Sequence, residues 1–410
     1  MNPLALGIDL GTSGIRVAVI NAAGNLLHSQ SCAYDNGLEH PEDWLTGITT
    51  LIQTIPSALL QRIRALAVDG TSGTLLACTS EGKPLGQALP YNASCPEQGK
   101  HLAVLASDGG PASSTSGSLA RALRLVEAYG CSVLLRHQAD WVNGWFLQHW
   151  RWGEEGNNLR LGWHLQDKRW PQGFKGCRWR NALPQIRPSG SNLGSIAPAI
   201  ARSLGLPESV KIVAGTTDSN AAVLATNPGP DDGITVLGTT LVLKRFTSVP
   251  LIGPGITSHR IAGRWLSGGA SNTGGAVLQQ EFPNIDLTEL SRQIDPEQRS
   301  GLNYRPLPGV GERFPIDDPL LEPVLTPRPV SDALHLHALL EGMAEIEAEG
   351  WRRLTALGAE PPQRVITLGG GARNPQWRRL RERAIGCPVV SNQTPPAAGV
   401  ARLALLAFTS

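Results

Sequence analysis

Apolar and often β-branched residues run from Leu4 to Asp9, Ile15 to Ile20 and Leu26 to Cys32, with glycine-rich or polar turns between them. That pattern predicts a three-stranded meander. Residues 41–64 carry apolar positions at helical spacing, and Ala65–Val68 is a short apolar run that feeds the loop Asp69-Gly70-Thr71-Ser72-Gly73. A helix is expected around Ile196–Leu204. After it, a strand over Val210–Ala214 opens into Gly215-Thr216-Thr217-Asp218-Ser219-Asn220, followed by the helix-compatible stretch Ala221–Ala225. Asn227-Pro228-Gly229-Pro230 breaks the chain and sets the expected division into an N-terminal domain, 1–226, and a C-terminal domain, 227–410.

Beyond the break the opening plan returns: a strand over Ile234–Leu237, the loop Gly238-Thr239-Thr240, and a strand over Leu241–Phe246. This echoes Gly11-Thr12-Ser13 at the same place between two strands, one domain length downstream, and points to a duplicated domain. Further on, Ser331 caps a predicted helix with Leu336, Leu339, Leu340, Met343 and Ile346 on one face, and Gly358 ends it. A strand at Arg364–Leu368 leads into Gly369-Gly370-Gly371-Ala372-Arg373-Asn374-Pro375, then a helix, a strand at Pro388–Ser391 and a last apolar helix at Ala397–Phe408. Strand, glycine loop and helix recur where nucleotides are held. Residues 141–179 hold seven of the eleven tryptophans without clean periodicity. They read as a packed elaboration of the first domain, with stacking on a sugar face as the alternative.

A chain of 410 residues exceeds what one core organises, so two domains with a cleft between them are expected. The 36 Lys and Arg against 34 Asp and Glu, net +2, form no block of one sign, which leaves nucleic acid without an electrostatic footprint. Six scattered cysteines include no C-x-x-C pair and suggest a reducing cytosol instead of a zinc or disulfide scaffold. No signal-peptide pattern and no run of about 18 apolar residues occurs, so neither secretion nor a membrane span is expected.

The two Gly-Thr turns offer backbone N–H groups and hydroxyls that can wrap phosphate oxygens, although hairpins select the same residues for conformational reasons. Asp9 closes a strand just before the first turn, where a carboxylate can hold Mg²⁺ through water beside phosphates or simply cap the turn. Asp218, between a strand and a helix, is placed to be a general base for a hydroxyl or an N-cap. G-x-x-x-x-G-K-[ST] and the H-R-D with D-F-G pair are missing, which excludes two large ATP-using classes. His335 and His337, two apart on a predicted helix, face different sides and read as surface or packing residues.

Taken together, these motifs resemble the FGGY carbohydrate kinases of the actin, Hsp70 and hexokinase superfamily, over essentially the whole chain. Asp9-Leu10-Gly11-Thr12-Ser13 resembles the first phosphate motif, Gly238-Thr239-Thr240 the second, and Gly369-Gly370-Gly371-Ala372-Arg373-Asn374 the adenosine motif. The resemblance implies an α/β fold of two actin-like, ribonuclease H-like ATPase domains of duplicated topology flanking a cleft. It implies ATP and Mg²⁺, with Gly11, Thr12, Ser13, Gly238, Thr239, Thr240, Gly369, Gly370, Gly371 and Asn374 on the nucleotide. Asp218, in a match to the family's G-x-x-D-x-x-A-A segment, becomes the catalytic base. Asp9 would serve metal and substrate phosphates, and Ser72 the sugar.

One departure stands out: where many members carry W-x-D-x-R, this chain has Tyr91-Asn92-Ala93-Ser94, without the carboxylate that reads sugar hydroxyls. The chain also resembles the compact cyanobacterial and plant members, which implies phosphorylation of D-ribulose to D-ribulose 5-phosphate. D-xylulose or another small sugar or polyol, and a non-catalytic sugar or nucleotide sensor on the same scaffold, are the alternatives. A cytoplasmic protein is expected, or one of the plastid stroma if its source is a plant, with a small-molecule sugar as partner and no hint of assembly state.

Overall fold

The computed structural model describes residues 3–106 and 109–408. The chain forms two compact units. Unit 1 takes the chain up to Asn227 together with Arg260–Gly263 and everything from Thr394 on; unit 2 takes Pro228–His259 and Arg264–Gln393. The expected second domain, 227–410, therefore yields its last segment to unit 1.

Unit 1 is built on six strands: β1 Leu4–Leu10, β2 Gly14–Asn21, β3 Leu26–Ala33, β4 Ile63–Gly70, β5 Asn192–Ser195 and β6 Lys211–Val213, in sheet order β3-β2-β1-β4-β6-β5. The predicted meander is present, antiparallel from β1 to β3, and β4 then joins β1 in parallel. Every residue of β1 is buried, as befits a central strand covered on both faces, whereas β3 is an edge strand with mostly exposed side chains. The helical pattern of 41–64 is cut short: the helix runs Pro41–Gln53, Pro56 interrupts it, and β4 begins already at Ile63.

The last helix, Pro396–Leu405, explains why the chain end belongs to unit 1. Its alanine-rich face lies so close to β1 and to the helix Asp218–Ala225 that side chains have no room. A Cβ on Gly7 would sit 1.8 Å from the Ala397 carbonyl oxygen, and one on Gly399 would sit 1.9 Å from that of Ala221. Small residues at these crossings let backbones approach and fix the Asp218 helix from behind.

Unit 2 repeats the plan. Strands β7 Asp232–Leu237, β8 Leu241–Thr247, β9 Ile256–Ile261, β10 Arg264–Ser271, β11 Arg364–Leu368 and β12 Val389–Ser391 follow the order β9-β10-β8-β7-β11-β12. The hairpin β7-β8 corresponds to β1-β2, β10 to β3, β11 to β4 and β12 to β6, with matching antiparallel and parallel pairings. Ser331 caps the helix Asp332–Ala356 by accepting from the Leu334 N–H, and Gly358 follows it at φ 105°.

The tryptophan-rich stretch packs. Trp170 and Trp179 meet Phe174 in a core of their own, and Trp141 stacks edge-on against Trp44. His335 is buried between Glu281, 2.8 Å away, and the Tyr304 hydroxyl. Among the described residues, no helix is long and apolar enough to cross a membrane, and all six cysteines are free thiols.

Candidate active site

Three carboxylates converge at the C-terminal ends of the unit 1 strands. Asp9 and Asp69 are direct register partners on the parallel strands β1 and β4, so their side chains leave the same face of the sheet. One step on, Gly70 pairs with Thr217, which brings the Gly215-Thr216-Thr217-Asp218 segment to the same end. Gly215 is required there, since a Cβ would lie 1.9 Å from the Val68 carbonyl oxygen. Asp218 then opens its helix half-buried, with its Oδ1 accepting from the Ser219 N–H at 2.7 Å.

The environments of the three differ. Asp9 is buried and its Oδ2 receives Arg16 Nη1 at 3.0 Å. Asp69 is fully buried, and its carboxyl meets that of Asp9 in a side-chain hydrogen bond. Burial first, then the Asp9 charge and the hydrogen bond shared with Asp9, and after these the Asp218 charge, hold the Asp69 carboxyl well above the usual carboxylate range. No role was read for Asp69 in the sequence, although it opens the loop that was singled out.

Gly11, buried, closes the first turn by donating its N–H to the Gly14 carbonyl, while Thr12 and Ser13 are exposed beyond it. The Tyr34 hydroxyl donates to the Gly11 carbonyl at 2.8 Å, and Gln138 joins Tyr34 to the Asp69-Gly70-Thr71-Ser72-Gly73 loop through two bonds with Thr71. Ser72 is half-buried on that loop. Arg121, absent from the sequence reading, binds the carbonyls of Gly73, Tyr91 and Ala93, joining the Ser72 loop to the stretch that replaces W-x-D-x-R. Burial pushes its guanidinium down to about 10. Its signal in the sequence was faint: one arginine on a helix at Ser118–Tyr129 that the pattern had not singled out.

The remaining sequence-derived residues gather in unit 2. Gly238 N–H donates to Thr240, and the carbonyls of Gly238 and Thr239 are taken up by Gly275 and Ala276 at the start of the next helix. A cavity of about 600 Å³ opens beside this turn, lined by Gly238, Gly370, Gly371, Asn374 and Trp377. Asn374 spends its side-chain oxygen on capping the helix Pro375–Ile385 and donates to Ser291 Oγ. Gly369 is a packing residue, at φ 89° with a would-be Cβ 2.3 Å from the Leu237 carbonyl oxygen. Ser291 and Arg292 also line the cavity and were missed, because residues 272–292 carry no periodicity or motif strong enough to mark them.

A carboxylate cluster with phosphate-sized turns, and a nucleotide-sized cavity floored by a glycine loop, is the equipment of a phosphoryl-transfer protein. Residues 233–408 match the FGGY family of carbohydrate kinases, C-terminal domain. That stretch carries the family's C-terminal domain. The chain is 23% identical over 436 residues to the xylulose kinase of Escherichia coli (strain K12), covering 98% of this chain and 90% of that one. It is 23% identical over 466 residues to the xylulose kinase of Bacillus subtilis (strain 168), covering 97% and 87%. Its fold is that of a solved xyloylose kinase from Brucella ovis (TM-score 0.85, 20% identity, 99% and 90% covered) and of Plasmodium falciparum glycerol kinase with ADP (TM-score 0.81, 17% identity, 100% and 90% covered). The two actin-like domains of duplicated topology are thereby shown. The domain match and the xylulose kinase relatives together indicate an ATP-dependent sugar kinase.

The donor set also fits a metal. Among the described residues, no group of three His, Cys, Asp or Glu could hold an ion unaided. Mg²⁺ on a nucleotide does not need such a cage, because it keeps water and phosphate ligands and takes one or two carboxylates from the protein. Asp9 supplies one.

Proposed function

We propose that this chain transfers the γ-phosphoryl group of Mg-ATP to a hydroxyl of a ketopentose, with D-ribulose, giving D-ribulose 5-phosphate, as the first substrate to test. The observation that carries the reading is the position of Asp218: half-buried at a strand-to-helix junction beside two further carboxylates, it is placed to take the proton of a sugar hydroxyl. Ser72 offers the sugar a hydrogen bond from the neighbouring loop. Asp9 holds the metal, and the Gly11-Thr12-Ser13 turn offers donors to phosphate oxygens. The Gly238-Thr239-Thr240 turn and the cavity over Gly370, Gly371 and Asn374 hold the nucleotide. When bound, Mg²⁺ neutralises phosphate charge; the protein's share is positioning and proton transfer.

D-xylulose is the second reading, favoured by curated relatives named xylulose kinase along nearly their whole length. The loop that Arg121 ties down lacks the familiar sugar-reading carboxylate, which separates this chain's pocket from the W-x-D-x-R pattern.

Coupled ADP release with Mg-ATP across D-ribulose, D-xylulose, L-ribulose, xylitol, glycerol and common hexoses tests the proposal, run beside Asp218→Asn. Turnover on one pentulose, reduced on the order of 10² to 10⁴-fold in the variant, supports it. Silence across the panel with nucleotide still bound would favour a sensor on the same scaffold.

A further inference from the structure

Three loops of unit 1 that lie far apart in sequence, those of Gly11, Ser72 and Tyr91, are joined by one chain of hydrogen bonds. The Tyr91 N–H donates to Thr74 Oγ1 at 3.1 Å, and the Thr74 and Thr71 hydroxyls share a bond. Thr71 gives both its N–H and its hydroxyl to Gln138 Oε1, at 3.1 and 2.9 Å, which makes Thr74 the donor of the hydroxyl pair. With its oxygen so engaged, the Gln138 amide turns Nε2 to the Tyr34 hydroxyl, 3.4 Å away, and Tyr34 donates in turn to the Gly11 carbonyl. Thr71, Thr74 and Gln138 are all within 1% of full burial. Every donor runs the same way, so each bond polarises and strengthens the next. Burial holds the Tyr34 hydroxyl above the ordinary phenol range, so it keeps the proton it donates.

A trans peptide unit is planar and points its C=O and N–H in opposite directions. By holding the Gly11 carbonyl, Tyr34 therefore also fixes the direction of the Thr12 N–H, a donor at an exposed position of the phosphate turn. We propose that Gln138 and Tyr34 are positioning residues that couple the Ser72 loop to this turn. A sugar that settles Ser72 and the Tyr91 stretch also settles the Gly11–Thr12 peptide, and so tightens the hold on nucleotide phosphates. By linkage, the nucleotide tightens the sugar equally. Gln138, fully buried, touches no ligand and acts only through the loops. In naming what the two loops hold, the inference rests on the sugar-kinase reading.

The test measures coupling. Mg-AMP-PNP, a non-hydrolysable ATP analogue, is titrated calorimetrically into the full chain alone, with D-ribulose and with D-xylulose, for the wild type, Tyr34→Phe, Gln138→Met and the double variant. The expected result is that one of the sugars tightens wild-type nucleotide binding at least about fivefold, while each single variant keeps less than about twofold of that effect. The double variant should lose no more than either single one, because both break one chain. A purely structural role would lower the melting temperature and leave the ratio of affinities with and without sugar unchanged. Tyr34→Phe removes one hydroxyl and keeps the ring, so it carries the comparison if Gln138→Met, which leaves the Thr71 donors unpaired, does not fold. Wild-type coupling in the folded variants, or no coupling in the wild type with either sugar, overturns the proposal. ADP release measured with the same sugars keeps the two readings apart: turnover without coupling overturns this inference alone, and coupling without turnover overturns the kinase reading while the coupling stands.

Discussion

At the register position where unit 1 sets Asp9 beside Asp69, unit 2 sets Val236 beside Leu368. The central strands correspond, β7 to β1 and β11 to β4, so the sheet itself does not ask for carboxylates there. Unit 2 buries charge elsewhere, between its sheet and a helix: Arg381 and Glu347, both within 1% of full burial, pair with each other and reach Thr367 and Thr235 through further hydrogen bonds. Every group of that set has a partner. A buried acid–base pair with all its partners is a fixture of the fold, whereas two carboxylates set side by side in the interior repel each other unless one keeps its proton.

Breaking the satisfied set should have the largest effect. Glu347→Ala strands Arg381 in the interior and is expected to cost about 3 to 5 kcal/mol, seen as an earlier denaturant midpoint. A loss below about 1 kcal/mol would show that Arg381 finds water, and the contrast between the units would weaken. Asp69→Asn in unit 1 keeps a neutral side chain that can donate to Asp9 and should cost little, so the two variants bracket the comparison.

Next comes the scaffold behind Asp218. Gly399→Ala drives a Cβ into the Ala221 carbonyl, and the Asp218 helix must shift. Overpacking of this kind costs about 1 to 3 kcal/mol. A displaced base should lower kcat by up to about 10²-fold, with the sugar KM moving far less. Full kcat in a folded variant would mean that the last helix buttresses the core and not the base.

On the unit 2 side, Gly371→Ala places a Cβ 2.6 Å from the Trp377 ring and crowds the cavity. The KM for ATP should rise about tenfold, about 1.4 kcal/mol, with kcat at saturating ATP unchanged. A matching rise in the sugar KM would argue against assigning the cavity to the nucleotide.

The strands were the legible part of this molecule. Buried parallel strands such as Arg364–Leu368 are short apolar runs bounded by glycine, and the Gly-Thr turns announce the hairpins, so both halves and their repetition could be read from pattern alone. The site was legible where a motif is contiguous, as around Asp218. What escaped depends on contacts far apart in sequence. Asp69 matters because β4 lies next to β1, some sixty residues earlier. Arg121 matters because its guanidinium reaches four loop carbonyls, and the last helix joined unit 1 because Gly7 and Gly399 permit close approach. Periodicity says which face is buried and nothing about which buried polar groups meet.

The smallest effect concerns a carboxylate of unit 2 that does have its partner. Asp232, at the start of β7, accepts two hydrogen bonds from Arg364 at 2.8 and 2.7 Å and one from the Gly229 N–H. The Arg364 hydrogen bond first, and the Gly229 bond after it, hold its carboxyl below the usual range. A folded pKa below the unfolded value means that the unfolded chain binds the proton more readily. The contribution is therefore present at neutral pH and is lost as the pH falls from near 4 through the folded pKa. Half of Arg364 faces water, so screening limits the pair to no more than about 1 kcal/mol. Asp232→Asn should be slightly less stable than the wild type at pH 7, with the gap narrowing in high salt and closing in acid. A gap that stayed constant from pH 7 to pH 3 would assign the effect to the hydrogen bonds alone and remove charge from the account of this strand.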